Sequence, residues 1–344
     1  MTLMKSAALA ALLGLTATTS FAQEVTLRFQ HFVSPNSANP KYFIEPWAEK
    51  VEAESNGRIK VEIYPFMQLG GKAQSQYDLI RDGAIDGGWV IPGYQPGRFP
   101  EAEALELPFM VTKSAEEASR AAWNFTQKHL ADDFRDVHLI AAHMHGPGLV
   151  HKKGPAIESV EDFNGLKLRG PSRPATLLLD KLGATPIGMP VPAFPEAMAR
   201  GVVDGGVITW EMSPSLKLDE LADSHTDVAG DRSLYNLYFI WAMNKQVYEG
   251  LPDDLRAVID ANSGYETSAW AGRAHDIGDK DGYAAMEASG NEIAELSEEV
   301  TAKIKALGAE VTQEWITEMT DRGLDGAGLV RDAQGMVEEA RGEM

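Results

Sequence analysis

Through the opening third of the chain the apolar and polar positions change rhythm repeatedly. Val25, Leu27 and Phe29 alternate with Thr26, Arg28 and Gln30, the two-residue period of a half-buried strand, ending near His31-Phe32. From Pro40 to Asn56 the period lengthens. Phe43, Trp47 and Val51 lie four apart on one helical face, and Gly57 stops the run. Ile59, Val61 and Ile63 restore alternation up to Pro65. Residues 72–82 then read as a helix closed by Gly83, and residues 84–91 as a third strand. A β-α-β-α-β order of this kind predicts a mainly parallel sheet with helices on its faces.

The same order returns further on. Leu166–Arg169 reads as a short strand, Pro174–Leu182 as a helix ending at Gly183, residues 184–188 as a short strand, Ala193–Arg200 as a helix ending at Gly201, and Val202–Trp210 as a strand. The local match is Gly83-Ala84-Ile85-Asp86-Gly87-Gly88 against Gly201-Val202-Val203-Asp204-Gly205-Gly206. A repeat this long between copies suits two similar lobes, not a solenoid. Each Asp follows a helix end and has a structural task first, bonding nearby backbone N–H groups. Residues 234–243 form an apolar, β-rich run, a buried strand or hinge. From Pro252 to about Ala288 helix dominates, although Gly264, Gly272, Gly278 and Gly282 argue against one unbroken helix. Glu292–Arg341 reads as a charged helical cover.

Two α/β lobes turn the carboxyl ends of their strands toward a shared crevice, where ligands bind. The candidate pocket residues are therefore His31 and Phe32, Pro65–Gln68 and Trp89–Tyr94 from one unit, and Arg169–Arg173, Met189–Val191 and Ile208–Glu211 from the other.

Composition narrows the function. The chain holds 31 Lys+Arg against 51 Asp+Glu, a formal charge of −20, which argues against nucleic acid as a partner. It has no Cys, which removes disulfide scaffolds, thiolate metal sites and thiol catalysis. Met1–Ala22 reads as a cleaved secretory signal: Lys5, an uncharged apolar stretch over Ala7–Ala17, and small residues at Ser20 and Ala22. Export without cysteine points to a bacterial periplasm.

Chemical motifs are sparse. There is no phosphate loop, no His-Glu-x-x-His and no Gly-x-Ser-x-Gly elbow. His143-Met144-His145, with His151 beyond, is the one histidine cluster; a His-x-His strand can chelate zinc, but spacing supplies no third ligand. No metal and no cofactor is expected. Arg169, at a cleft-facing strand end, offers an always-charged fork for a carboxylate. Phe32, Trp89, Tyr94 and Trp210 at the other strand ends suggest a large apolar wall.

These blocks carry a family resemblance over nearly the whole mature chain. The stretch from Leu27 to Gly70, with its Pro-x-x-Gln-Leu-Gly turn at Pro65–Gly70, resembles the first lobe of DctP-type solute-binding proteins of TRAP transporters. So do the Gly-x-x-Asp of residues 83–86, with the Phe-Pro and Leu-Pro-Phe that follow, and the block from Val160 to Gly206. The resemblance implies two α/β lobes, a ligand cleft between them and a long helix spanning both. The expected division is 23–147 plus about 234–274 for lobe I, and 148–233 plus about 275–344 for lobe II. It also implies that Arg169 holds the ligand carboxylate and that the partner is a membrane permease of small and large subunits driven by an ion gradient. The Asn that many members carry after Val-Asp-Gly is replaced in Gly206–Glu211, and Phe32 stands where sialic-acid binders place Asn.

The expectation is a monomeric periplasmic binding protein, not an enzyme, for a small organic anion. With Phe32, Ile91, Tyr94, Val191, Ile208 and Trp210 where sugar acids need polar partners, the ligand is a monocarboxylate with an apolar or aromatic body. Arg169 pairs with the carboxylate, His145 and Tyr94 donate hydrogen bonds, and Phe32, Trp89 and Trp210 enclose the body. Three alternatives are a methylated-ammonium zwitterion in an aromatic cage, a metal hydrolase using His143 and His145, and a binding subunit of a sensor or ABC importer.

Overall fold

The computed structural model describes residues 23–342; the signal sequence expected over Met1–Ala22 lies outside the described residues. The strands are β1 (Val25–Gln30), β2 (Ile59–Tyr64), β3 (Gly87–Val90), β4 (Val137–Met144), β5 (Gly148–Lys152), β6 (Lys167–Gly170), β7 (Thr185–Gly188), β8 (Gly205–Thr209), β9 (Ser224–Asp227), β10 (Tyr238–Asn244) and β11 (Glu292–Glu295). They form two sheets, in the orders β2-β1-β3-β10-β4 and β11-β9-β5-β8-β6-β7. Each sheet contains the parallel block read from its β-α-β-α-β run. β1 lies between β2 and β3, and β6 between β7 and β8. Each is completed by antiparallel neighbours from elsewhere in the chain, β10 between β3 and β4 and β5 between β8 and β9. Both sheets are thus mixed.

The chain passes from one sheet to the other between β4 and β5, and returns between β9 and β10. The helix Tyr265–Ser289 makes a third passage, packing on β4 and the helix Ala115–Phe125 at one end and on β11 at the other. The stretch from Pro252 is not one helix, as its glycines suggested: it breaks between the helices Asp253–Ala261 and Tyr265–Ser289, with Gly264 at the N-cap of the second, while Gly272, Gly278 and Gly282 lie inside that second helix without interrupting it. A Cβ at Gly272 would lie 2.4 Å from the Ala115 carbonyl oxygen, one at Gly278 2.2 Å from the Ala38 Cβ, and one at Gly282 1.9 Å from the Trp210 carbonyl oxygen. Ala38 and Ala115 belong to the first-sheet side and Trp210 follows β8, so the glycines bring one helix against both halves. Each gives up about 1 kcal/mol of helix propensity relative to Ala. Asp276 on this helix also caps the helix Ala115–Phe125, accepting from the N–H groups of Ala115 (2.7 Å) and Glu116 (3.0 Å).

The repeated hexapeptides have matching geometry. The Asp86 carboxylate accepts the N–H of Arg28 on β1 (2.7 Å), and Asp204 that of Lys167 on β6 (2.8 Å). Each aspartate therefore ties its own strand to the neighbouring one. The following glycines face the same neighbours in register: Gly88 is paired with Gln30 and Gly206 with Arg169.

Candidate ligand-binding site

Arg169 is the penultimate residue of β6 and is 1% exposed. Gly206 makes the space. A Cβ there would stand 2.7 Å from the Arg169 Cβ and 2.8 Å from the Phe194 ring. Two guanidinium nitrogens are held by backbone: Nε donates to the Met189 carbonyl (3.0 Å) and Nη1 to that of Val207 (2.9 Å). The third, Nη2, is buried without a partner. An uncompensated buried charge is costly, and a buried donor demands an acceptor. The fork is fixed at two nitrogens and its third is left without an acceptor.

The facing wall is aromatic. Phe32 stacks on Trp89 with centroids 5.0 Å apart and 5° between planes, and Trp89 stacks on Phe239 at 4.9 Å and 14°. The Trp89 indole N–H is fixed by His143, donating to its Nε2 at 2.8 Å. Between guanidinium and rings lies a cavity lined by Phe32, Val33, Trp89, Ile91, Tyr94, His145, Arg169, Val191, Ile208, Thr209, Met212, Tyr235, Leu237 and Phe239. Its volume is about 30 Å³, where one water needs ~10–15 Å³. No Asp or Glu lines it.

Tyr94 closes the cavity. Its hydroxyl accepts the N–H of Val191 (3.0 Å), joining the segment after β3 to the segment after β7. Burial raises the Tyr94 hydroxyl above its usual range, and the neighbouring guanidinium of Arg169 works against that rise. On its other side Tyr94 borders a larger cleft of about 350 Å³, shared with Gln74, Gly93, Pro96, Gly170–Arg173, Thr176, Leu177 and Gly188–Pro190. Beyond that cleft, Arg173 grips Glu103 through Nε (3.1 Å to each carboxylate oxygen) and through Nη2, the latter at 2.5 Å. Arg173 Nη1 reaches Glu318 (2.6 Å), and Trp315 Nε1 donates to Glu103 (3.0 Å). Glu106 beside them is buried; its carboxyl accepts the Tyr238 N–H (3.0 Å), and burial pushes it up to about 8.

The structure brings Arg169, Phe32, Trp89, Ile91, Tyr94, His145, Val191 and Ile208 into one cavity. Trp210 is not among its lining residues. One residue past the end of β8, its ring packs edge-on against His151 (5.6 Å), His225 (5.7 Å) and Tyr283 (5.2 Å) instead. His145 also differs from expectation. Its Nδ1 lies 2.7 Å from the Gly146 carbonyl, so Nδ1 carries the hydrogen, and burial holds the ring neutral by lowering it to about 3. Its Nε2 is an acceptor and cannot donate. Among the described residues no group of three or more acidic or histidine side chains is placed to hold a metal. Thr209, within the expected Ile208–Glu211 segment, lines the cavity, whereas Val33, Met212, Tyr235, Leu237 and Phe239 were not foreseen. Tyr235, Leu237 and Phe239 come from the apolar run that leads into β10, whose place between β3 and β4 no local pattern states.

Comparison with known proteins agrees with this architecture. The sequence model of the family "Bacterial extracellular solute-binding protein, family 7" (DctP) matches residues 29–318. A TRAP solute-binding protein from an unidentified marine microbe, described as specific for aromatic acids and solved with meta-hydroxyphenylacetate, superposes with a TM-score of 0.90. It is 45% identical, over 92% of this chain and 99% of that one. One from Rhodoferax ferrireducens, solved with copurified benzoate, gives a TM-score of 0.89 and 42% identity, over 92% and 98% of the two chains. The C4-dicarboxylate-binding periplasmic protein DctP of Rhodobacter capsulatus is 26% identical over 309 residues, covering 88% of this chain and 89% of that one.

Proposed function

Because the chain belongs to the DctP family of extracellular solute-binding proteins, those that serve TRAP transporters, we propose that it captures an aromatic monocarboxylate between its two sheets and passes it to a membrane permease of small and large subunits. The observation that carries this reading is the Arg169 Nη2, buried without a partner in a cavity walled by Phe32, Trp89 and Phe239. A carboxylate supplies the missing acceptor as a charge-assisted bond, and a flat ring suits the stacked wall. The acid-free lining favours a plain anion over a zwitterion, whose ammonium group would meet the guanidinium with no counter-charge. The two structures at 42% and 45% identity, with benzoate and an aromatic hydroxy acid bound, support the same class. The mature protein is assigned to the periplasm as a monomer, with 23–147 plus about 234–274 in one lobe and 148–233 in the other; of residues 275–344, expected in the second lobe, the helix Gly326–Gly342 packs instead on the helix Ala115–Phe125 of the first.

The test is mass spectrometry of the small molecules released from protein purified without refolding, followed by calorimetry with benzoate and with succinate. Binding of benzoate, lost by ~100-fold or more in Arg169→Ala, is expected. Tight binding that survives Arg169→Ala, or a preference for succinate, overturns the assignment.

A further inference from the structure

The cavity holds two buried polar atoms left over, and they have opposite hydrogen-bonding sense. Arg169 Nη2 can only donate. His145 Nε2 is likewise partnerless and 2% of the residue is exposed. Its sense is fixed by the other ring nitrogen, which is committed as a donor to the Gly146 carbonyl at 2.7 Å. That carbonyl is itself held by the side-chain amide of Asn236 (3.3 Å), which also bonds the His145 carbonyl (2.8 Å). The ring is therefore held in one tautomer, leaving the Nε2 lone pair without a donor on a residue that lines the cavity.

A carboxylate satisfies the guanidinium and does nothing for this lone pair; oxygen against Nε2 would be repulsive. The two leftover atoms do not satisfy each other either, since each is without a partner. We infer that the ligand carries a hydroxyl, or another uncharged donor, in addition to its carboxylate, and that His145 Nε2 accepts from it. His145 thus selects hydroxylated aromatic acids over their unsubstituted parents. A site built to accept a hydrogen bond discriminates sharply against an analogue that lacks the donor, because the acceptor is then buried unpaired. This inference rests on reading the cavity as the site of an aromatic acid.

Calorimetry with matched triplets tests it: an aromatic monocarboxylate, its hydroxylated derivatives with the O–H at each ring position and on the α-carbon, and the O-methyl ethers of the same compounds. At least one hydroxy acid is expected to bind ~10-fold or more tightly than both its parent and its methyl ether. That preference should disappear in His145→Phe, which keeps a ring and loses the acceptor, and persist in part in His145→Gln. Parent acids that bind as well as every hydroxy acid overturn the inference while leaving the proposed function standing. Equal preference in wild type and His145→Phe also overturns it, placing the discrimination elsewhere. Binding of no aromatic acid at all removes both readings. The wild-type triplets decide the question even if a His145 variant does not fold.

Discussion

Gln30 and Arg169 occupy the same register position in the two sheets, each paired with the last glycine of a Gly-x-x-Asp-Gly-Gly turn. The chain uses them in opposite ways. Gln30 is fully engaged: its amide donates to Gln76 (3.0 Å) and to the Gly70 carbonyl (3.2 Å), and its oxygen accepts the Leu69 N–H (3.1 Å). It fixes the Pro65–Gly70 turn. Arg169 is engaged at two nitrogens and free at the third. Two similar halves therefore give an asymmetric site, with charge from one and an aromatic wall from the other.

Gly206→Ala should harm both stability and binding. The new methyl would fall 2.7 Å from the Arg169 Cβ and 2.8 Å from Phe194, and overpacking of this kind costs about 1–3 kcal/mol. Urea unfolding should register that loss. Calorimetry with benzoate should show affinity reduced ~10-fold or more, since the fork is displaced from its backbone anchors.

Arg173 joins Glu103 on the first-sheet side to the helix that follows β6, without lining the inner cavity. Arg173→Met should therefore weaken the closed arrangement and leave the binding surface intact. A shift of about 1–2 kcal/mol in that equilibrium lowers apparent affinity roughly 10-fold. Small-angle scattering should show a larger radius of gyration without ligand than wild type, and recovery of the compact form at saturation.

Glu106 sets a pH trend. Burial pushes its carboxyl up to about 8 from 4.5. The folded protein keeps a proton across that interval that the unfolded chain has released. This group's contribution to stability therefore falls as pH rises from 4.5 to about 8 and is level above it. Glu106→Gln retains an acceptor for the Tyr238 N–H and removes the slope. Its melting temperature relative to wild type should climb by roughly 5 °C or more between pH 5 and pH 8. A constant difference would show that Glu106 is ionised in the fold.

Two helix glycines should respond with opposite sign. At Gly335 a Cβ meets nothing within 4 Å, so Gly335→Ala should stabilise by about 1 kcal/mol. At Gly282 it meets the Trp210 carbonyl oxygen at 1.9 Å, so Gly282→Ala should destabilise by several times that amount. Paired denaturation curves compare them directly.

What the sequence disclosed follows how local each feature is. The alternation of Val25–Phe29 and the glycine stops at Gly57, Gly83 and Gly201 mark element ends because backbone geometry is set within a few residues. Arg169 was legible because a charged residue closing a strand pattern has few places to go. Trp210 was misplaced by the smallest unit of strand geometry: β8 ends at Thr209, which lines the cavity, while the next side chain packs against His151 and His225. Tyr235, Leu237 and Phe239 were illegible because their role depends on β10 inserting between β3 and β4, a pairing between segments far apart in the chain. Gly264 does mark a helix start, but the part played by Gly272, Gly278 and Gly282 was illegible, since propensity counts only the isolated helix, whereas their purpose lies in what presses against them.

Tyr94 carries one more implication. Its ring is the partition between the inner chamber and the outer cleft, and its hydroxyl is anchored across the gap to Val191. Under the proposed function, a solute in the inner chamber would leave only when that partition swings, so its dwell time would follow the breathing of the protein more than the strength of its own grip.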